Sequence, residues 1–217
     1  MTHARLHPAA RRKERFPLPT ERMRLPPAGA LIEGSLFATL QARRSTREFS
    51  PRPLEWQEIA ALLWSGQGIT DATLQLRTAP SAGALYPLEL DALTPSGIFR
   101  YHPEDHSVSR RHQGDVRSRL SAAAINQACL AHAPCIFALS AVPSRTLKKY
   151  GERGTRYIAI EAGHIVQNML LTACTLGLVG VPVGAFDDPA VSAVLALSTN
   201  ETPLYLVPIG WPSSPVS

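Results

Sequence analysis

The chain has only three cysteines in 217 residues, Cys129, Cys135 and Cys174. Their number and scatter exclude a disulfide framework or a cysteine zinc site, and they read as small buried hydrophobes in a reducing cytoplasm. No apolar run approaches the roughly 18 to 20 residues needed to cross a bilayer, so no membrane span is expected. The first residues lack the apolar core of a secretion signal, which makes a cytoplasmic location the expectation. Acidic residues are scarce in one place alone. Of the 22 Lys and Arg and 17 Asp and Glu, residues 1–30 hold seven and two, which leaves fifteen of each sign beyond residue 30. The net charge of +5 therefore belongs to an N-terminal arm, and nucleic acid is not an expected partner of the neutral remainder. That arm also carries Pro8, Pro17, Pro19, Pro26 and Pro27, so an extended or disordered conformation is expected there, not a helix.

What remains, residues 31–217, has the length of one domain with a sizeable core. Hydrophobic residues make up 45% of the chain and the mean hydropathy is −0.03, both ordinary for a water-soluble protein. Leu54, Ile59, Leu62 and Leu63 predict a helix over residues 54–64. Residues 88–93 and 98–101 read as a hairpin across Thr94, Pro95, Ser96 and Gly97. Residues 136–142 form a continuous apolar run, taken as a buried strand. Ile158, Ala162, Ile165, Met169 and Ala173 recur at helical spacing, which predicts a long helix over 152–176 ending at Gly177. Residues 179–183 and 204–209 add strands. This alternation implies an α+β fold with a mixed central sheet flanked by helices.

Three segments carry candidate chemistry. Arg43, Arg44, Ser45, Thr46 and Arg47 follow the amphipathic run 36–40 and place guanidinium forks and hydroxyls together, the donor set that suits a phosphate monoester. Pro80, Ser81, Ala82 and Gly83 form a loop before a strand, where glycine permits a positive φ and close backbone approach. Val183, Gly184 and Ala185 precede Asp187, Asp188 and Pro189, which read as the N-cap of a helix over 189–197.

In this order the segments resemble the nitroreductase family of FMN-dependent oxidoreductases, and within it the SagB-type branch that includes thiazole- and oxazole-forming dehydrogenases. Further matches are the stretches 62–70, Lys149 to Gly154, Arg156 and Tyr157, Glu161 to His164, and Gln167 with Asn168. The resemblance covers residues 35–211. It implies a five-stranded sheet in an intertwined homodimer, with two FMN sites at the subunit interface. Arg43, Arg44, Ser45 and Arg47 would meet the phosphate and ribityl chain. Pro80, Ser81, Ala82 and Gly83 would reach the flavin from the second subunit, and Val183, Gly184 and Ala185 would face its N5 edge. Lys149 and Tyr150 match the pair implicated in deprotonating an azoline ring. A lysine whose pKa is lowered by burial suits a base, with tyrosine as relay.

His164 reads as a buried helix histidine, Gln167 and Asn168 as helix-packing amides, Tyr157 and Trp64 as core aromatics, and Tyr86 as a pocket residue. No basic residue follows Gly210, unlike many relatives, so the phosphate would rely on the first cluster, helped by Arg77 or the arm. The expected activity is hydride transfer through FMN on a small-molecule or peptide-derived substrate, such as an azoline ring. NAD(P)H-dependent reduction of nitro compounds or quinones is the alternative, and a catalytically silent flavin-binding subunit is a rival from another class. No Rossmann glycine fingerprint is present, which decides nothing about NAD(P)H as donor in such a fold.

Overall fold

The computed structural model describes residues 22–27 and 36–213. Residues 1–21 of the expected arm, and its boundary with the domain, lie outside them. Along the chain run β1 (Arg22–Arg24), α1 (Leu36–Ala42), α2 (Trp56–Gln67), β2 (Ile69–Asp71), β3 (Leu76–Arg77), β4 (Leu88–Thr94), β5 (Gly97–His102), β6 (Ser107–Gln113), α3 (Arg117–Ala123), α4 (Ala128–His132), β7 (Cys135–Ala141), α5 (Ser144–Tyr150), α6 (Arg153–Thr175), β8 (Val179–Gly180), α7 (Asp188–Leu195) and β9 (Thr202–Gly210). The larger sheet has the order β1-β6-β5-β4-β7-β9-β8. Its strand pairs are antiparallel, and its parallel component is the bridge between Ser45 and Gly180. The sheet thus has seven strands where the resemblance implied five. The additions include the short edge strand β1 and the polar β6, whose sequence Ser-Val-Ser-Arg-Arg-His-Gln carries no apolar run to announce it.

The two-residue period of a strand sends alternate side chains to opposite faces, and this divides the core in two. Cys135, Phe137 and Leu139 of β7 join Leu88, Leu90 and Val207 against Ile59, Leu62 and Leu63 of α2 and Ile158, Ile165 and Met169 of α6. Ile136 and Ala138 join Leu93, Ile98 and Leu206 against Leu120, Leu130, Val191 and Leu195 of the shorter helices. On that second face a charge network is built across the strands. Arg100 makes a two-pronged contact with Asp91 at 2.8 and 3.0 Å and reaches Glu201 at 2.9 Å, while Arg111 meets Asp91 at 3.0 Å. Asp91 is 1% exposed, so the two guanidiniums are what make its charge tolerable there.

The long helix is the element that positions the site. α6 ends as predicted, with Gly177 at φ 71° just beyond it. α1 forms where the amphipathic run lies, yet Leu36, Phe37 and Leu40 are 65%, 71% and 52% exposed, an uncovered apolar face. Among the described residues no helix is long and apolar enough to cross a membrane.

Candidate functional site

The arginine cluster begins where α1 stops. The Arg43 N–H closes the last turn on Thr39 O at 3.0 Å, and the chain then runs beside β8, where the Thr46 N–H bonds Gly180 O at 3.1 Å. Gly180 in turn lies close against β9, where a Cβ would come within 2.9 Å of Pro208 O. Arg43, Arg44 and Thr46 rim a cavity of about 320 Å³ whose other wall is Leu170 and Cys174 of α6 with the turn 177–180. Cys174 is therefore half-buried, unlike the fully buried Cys129 and Cys135. Arg44 is partly committed, its Nη1 donating to Gln41 O at 2.7 Å and Arg43 O at 2.8 Å, which caps α1. Arg43 and Arg47 have no ion-pair partner among the described residues.

Arg47 lies toward α4, where its charge opposes the upward push of burial on the Cys129 thiol. The 183–185 loop reaches the same place, with Gln127 just before α4 donating to Ala185 O at 2.8 Å. Val183 is buried and exchanges both backbone hydrogen bonds with Leu206, whereas Gly184 and Ala185 are exposed. Within the protomer nothing demands Gly184, since a Cβ there would sit in ordinary contact, 3.4 Å from the Tyr205 ring. Asp187 caps α7 as expected, accepting from the Ala190 N–H at 2.7 Å.

The second group of residues is built on the 80–86 loop. Gly83, Ala84 and Tyr86 all have positive φ, at 65°, 52° and 44°. For the two non-glycines this costs about 1–3 kcal/mol each, and such backbone persists only where its surroundings over-determine it. Here they do. Ser81 Oγ accepts from the Tyr86 N–H at 3.0 Å, Tyr86 O accepts from Arg145 at 3.0 Å, and Tyr86 Oη accepts from the Arg77 N–H at 3.1 Å. The strained loop is pressed against the end of α5. A Cβ on Gly83 would come within 2.7 Å of Tyr150 Oη and 2.9 Å of Lys149 Nζ, so the fold brings those three together. The Tyr150 ring meets Tyr157 edge-on at 5.1 Å.

Lys149 itself is exposed in the protomer. The burial expected of a lysine base is therefore not supplied by this chain alone. Lys149 sits in the last turn of α5, where the helix dipole favours a cation.

Behind the loop lies a group that the sequence reading left without a role. Glu161 of α6 is 3% exposed, accepts a hydrogen bond from Ser81, and leaves Oε1 buried with no partner among the described residues. Burial pushes its carboxyl up to about 7, against the pull of Ser81 and the Arg77 charge. The signal was available: a carboxylate in register with the core-facing Ile158, Ala162 and Ile165 is not a solvated residue. Three helix expectations need correction. His164 is exposed, because it lies about 100° round the helix from the buried Ile165, and Gln167 is exposed beside it. Asn168 does pack, donating to Thr78 O at 3.3 Å. Tyr157 and Trp64 are half-buried and do not belong to the core proper. Tyr86 lines a pocket, as expected.

The two groups are well separated within one protomer. Cys174 faces the arginine cluster and Glu161 faces the 80–86 loop, thirteen positions apart along α6, roughly 20 Å of helix. The chemistry present fits FMN: unpaired guanidiniums suit its phosphate, and Gly83, where a Cβ would collide with Tyr150 Oη and Lys149 Nζ, lets two proton-carrying side chains lie against the 80–86 loop.

The nitroreductase family model matches residues 40–211. A protein of Methanocaldococcus jannaschii assigned by name to the nitroreductases is 40% identical over 184 residues, covering 82% of this chain and 91% of its own. Among solved structures, a protein of Ralstonia eutropha JMP134 described as a nitroreductase superposes with a TM-score of 0.83 at 26% identity, covering 91% of this chain and 93% of that one. The NADPH:FMN oxidoreductase of Vibrio harveyi, solved with NAD+, shares the fold at a TM-score of 0.62 and 22% identity, over 82% of this chain and 69% of that one.

Proposed function

The chain belongs to the nitroreductase family, and on that footing we propose that it is an FMN-dependent oxidoreductase working as a homodimer. The observation that carries this reading is the strained 80–86 loop, held against Lys149 and Tyr150 on one side and an acid on the other. Bound FMN would supply a two-electron carrier that takes up and returns hydride at N5. Arg43 and Arg47, with Ser45, would hold the phosphate, for which unpaired guanidiniums provide charge-assisted, two-pronged hydrogen bonds. Val183, Gly184 and Ala185 would present backbone to the ring, Gly184 and Ala185 being exposed and free of any steric demand from their own chain.

The roughly 20 Å between the two groups favours a site completed by two chains. The arginine cluster of one protomer would then face Pro80, Ser81, Ala82 and Gly83 of its partner. The uncovered apolar face of α1 is consistent with that arrangement. Lys149 and Tyr150 would handle the proton that accompanies hydride transfer, with Tyr150 Oη and Lys149 Nζ converging where Gly83 leaves room. This supports the SagB-type reading, dehydrogenation of an azoline or similar ring. NAD(P)H-dependent reduction of nitro compounds or quinones is the second reading, favoured by the exposure of Lys149, which lacks the burial that a desolvated base needs. The proposed location is the cytoplasm, and the proposed layout is a basic arm over residues 1–30, of which Arg22–Arg24 joins the sheet as β1, ahead of one FMN-binding domain.

FMN titration of the apoprotein, followed by flavin fluorescence, tests the assignment. Arg43→Ala is expected to weaken FMN binding at least tenfold. Lys149→Ala is expected to leave FMN binding intact and lower turnover at least tenfold. A modification complex whose function is unchanged by Lys149→Ala would support a silent flavin-binding subunit instead.

A further inference from the structure

A second cavity, of about 420 Å³, opens beside Tyr86. Its wall includes Gln67, Arg77, Tyr86, Glu89, Glu104 and Arg145. The carboxylates there are already matched: Glu89 by Arg100 and Arg145, Glu104 by Arg22. Arg77 is not. No carboxylate lies in ion-pair range of its guanidinium among the described residues, and of its five N–H donors one is committed, Nη1 to Gln67 Oε1. The guanidinium is stacked 4.4 Å over the Tyr86 ring, which fixes its plane. Burial lowers its pKa, the expected cost of a cation short of partners.

Gln67 carries the complementary deficit. It is 2% exposed, and because Oε1 accepts from Arg77, its Nε2 is turned away from that bond and has no partner among the described residues. Leaving such a donor unsatisfied costs about 1–3 kcal/mol. A desolvated fork and an orphaned amide N–H beside one cavity form a donor set in want of an acceptor.

We propose that this cavity is a substrate subsite for a carboxylate, received by the free edge of the Arg77 guanidinium and by Gln67 Nε2. One guanidinium matches a monoanion, whereas a phosphate dianion would leave surplus charge in a cavity walled by Glu89 and Glu104. The proposal rests on the flavin reading in one respect only, the direction in which the rest of the ligand extends. Arg145 lines the cavity, and Lys149 follows it one turn later on the same side of α5. A ligand anchored at Arg77 would therefore run along the 81–86 loop toward Lys149 and Tyr150. The substrate class is thus a ring compound bearing a carboxylate.

Calorimetric titration of the FMN-loaded protein, without reductant, with 4-nitrobenzoate and 4-nitrobenzamide is the test. The two probes share ring and nitro group and differ in charge. The benzoate is expected to bind at least tenfold tighter, and Arg77→Gln is expected to abolish that preference with flavin content unchanged. Gln67→Leu, which keeps the Arg77 guanidinium and its stacking on Tyr86 but removes its bond to Oε1, is expected to cut the preference severalfold and serves if Arg77→Gln does not fold. Equal affinity for both probes, or a preference that survives in the variants, overturns the subsite. A protein that takes up no FMN yet still prefers the benzoate retains the subsite and refutes the flavin reading. A flavin-loaded protein with no preference does the reverse.

Discussion

At the scale of single residues, Gly83 and Glu161 make the most direct demands. Gly83 combines a positive φ with a near contact to Tyr150 Oη and Lys149 Nζ, the side chains proposed to handle the proton. Gly83→Ala is expected to cost about 1–2 kcal/mol from backbone conformation alone. The new methyl group would also displace Tyr150 Oη and Lys149 Nζ, so turnover should fall at least tenfold while FMN stays bound. Thermal unfolding and steady-state rates measured on one preparation check both parts. Glu161 gives a pH signature. Its folded pKa of about 7 lies above the ordinary 4.5, so the neutral acid is the form the fold prefers. The stability tied to it is complete below pH 4.5 and is lost as pH rises through 7. Over that range the loss amounts to about 3 kcal/mol at most. Glu161→Gln keeps the shape without the charge. It should match the wild type in urea midpoint at pH 5 and exceed it at pH 8, and equal midpoints at both pH values would contradict the assignment. The glycine was legible in the sequence because a Pro-Ser-Ala-Gly loop before a strand has few other uses. The missing partners of Glu161, Gln67 and Arg77 were not, because a helix or strand residue reads as satisfied until its neighbours are known.

At the scale of elements, the strongly patterned ones were legible to within a residue or two. α6 was expected over 152–176 and spans Arg153–Thr175, and β7 was expected over 136–142 and spans Cys135–Ala141. α6 buries one face and so shows a full helical period, whereas β7 is buried throughout and reads as an unbroken apolar run. β6, α3 and α4 escaped notice for opposite reasons. β6 lies toward the edge of the sheet with a half-exposed, arginine-rich second half, and α3 and α4 are short helices without a capping side chain. α7 shows what such a cap contributes. Asp187 both closes that helix and donates its own N–H to Ala123 O at 3.0 Å, which ties the 183–185 loop to α3. Asp187→Ala is expected to cost about 1 kcal/mol. It should also loosen FMN binding if that loop faces the ring, and urea unfolding beside a flavin titration separates the two effects. His164 shows the limit of apolar neighbourhood as a guide, since Ala162 and Ile165 near it are buried by register and it is not.

At the scale of the whole molecule, charge and layering explain why one chain holds two separate groups of unmatched residues. The sheet is covered on one face by α2 and α6 and on the other by shorter helices and the Asp91 network, so unmatched groups collect at the ends of α6. At one end are guanidiniums without acids, and at the other a strained loop with an acid behind it. The order of the motifs made the family visible in the sequence. The distance between the motifs did not appear there, because spacing along a chain says nothing of spacing along a helix shared by two sites. The claim on which the rest depends is that this architecture binds FMN. An absorption spectrum of the purified protein, with the chromophore released by heat and identified, tests it most directly. A yellow protein carrying about one FMN per chain is the predicted result. A colourless protein that remains colourless after incubation with FMN would contradict the account.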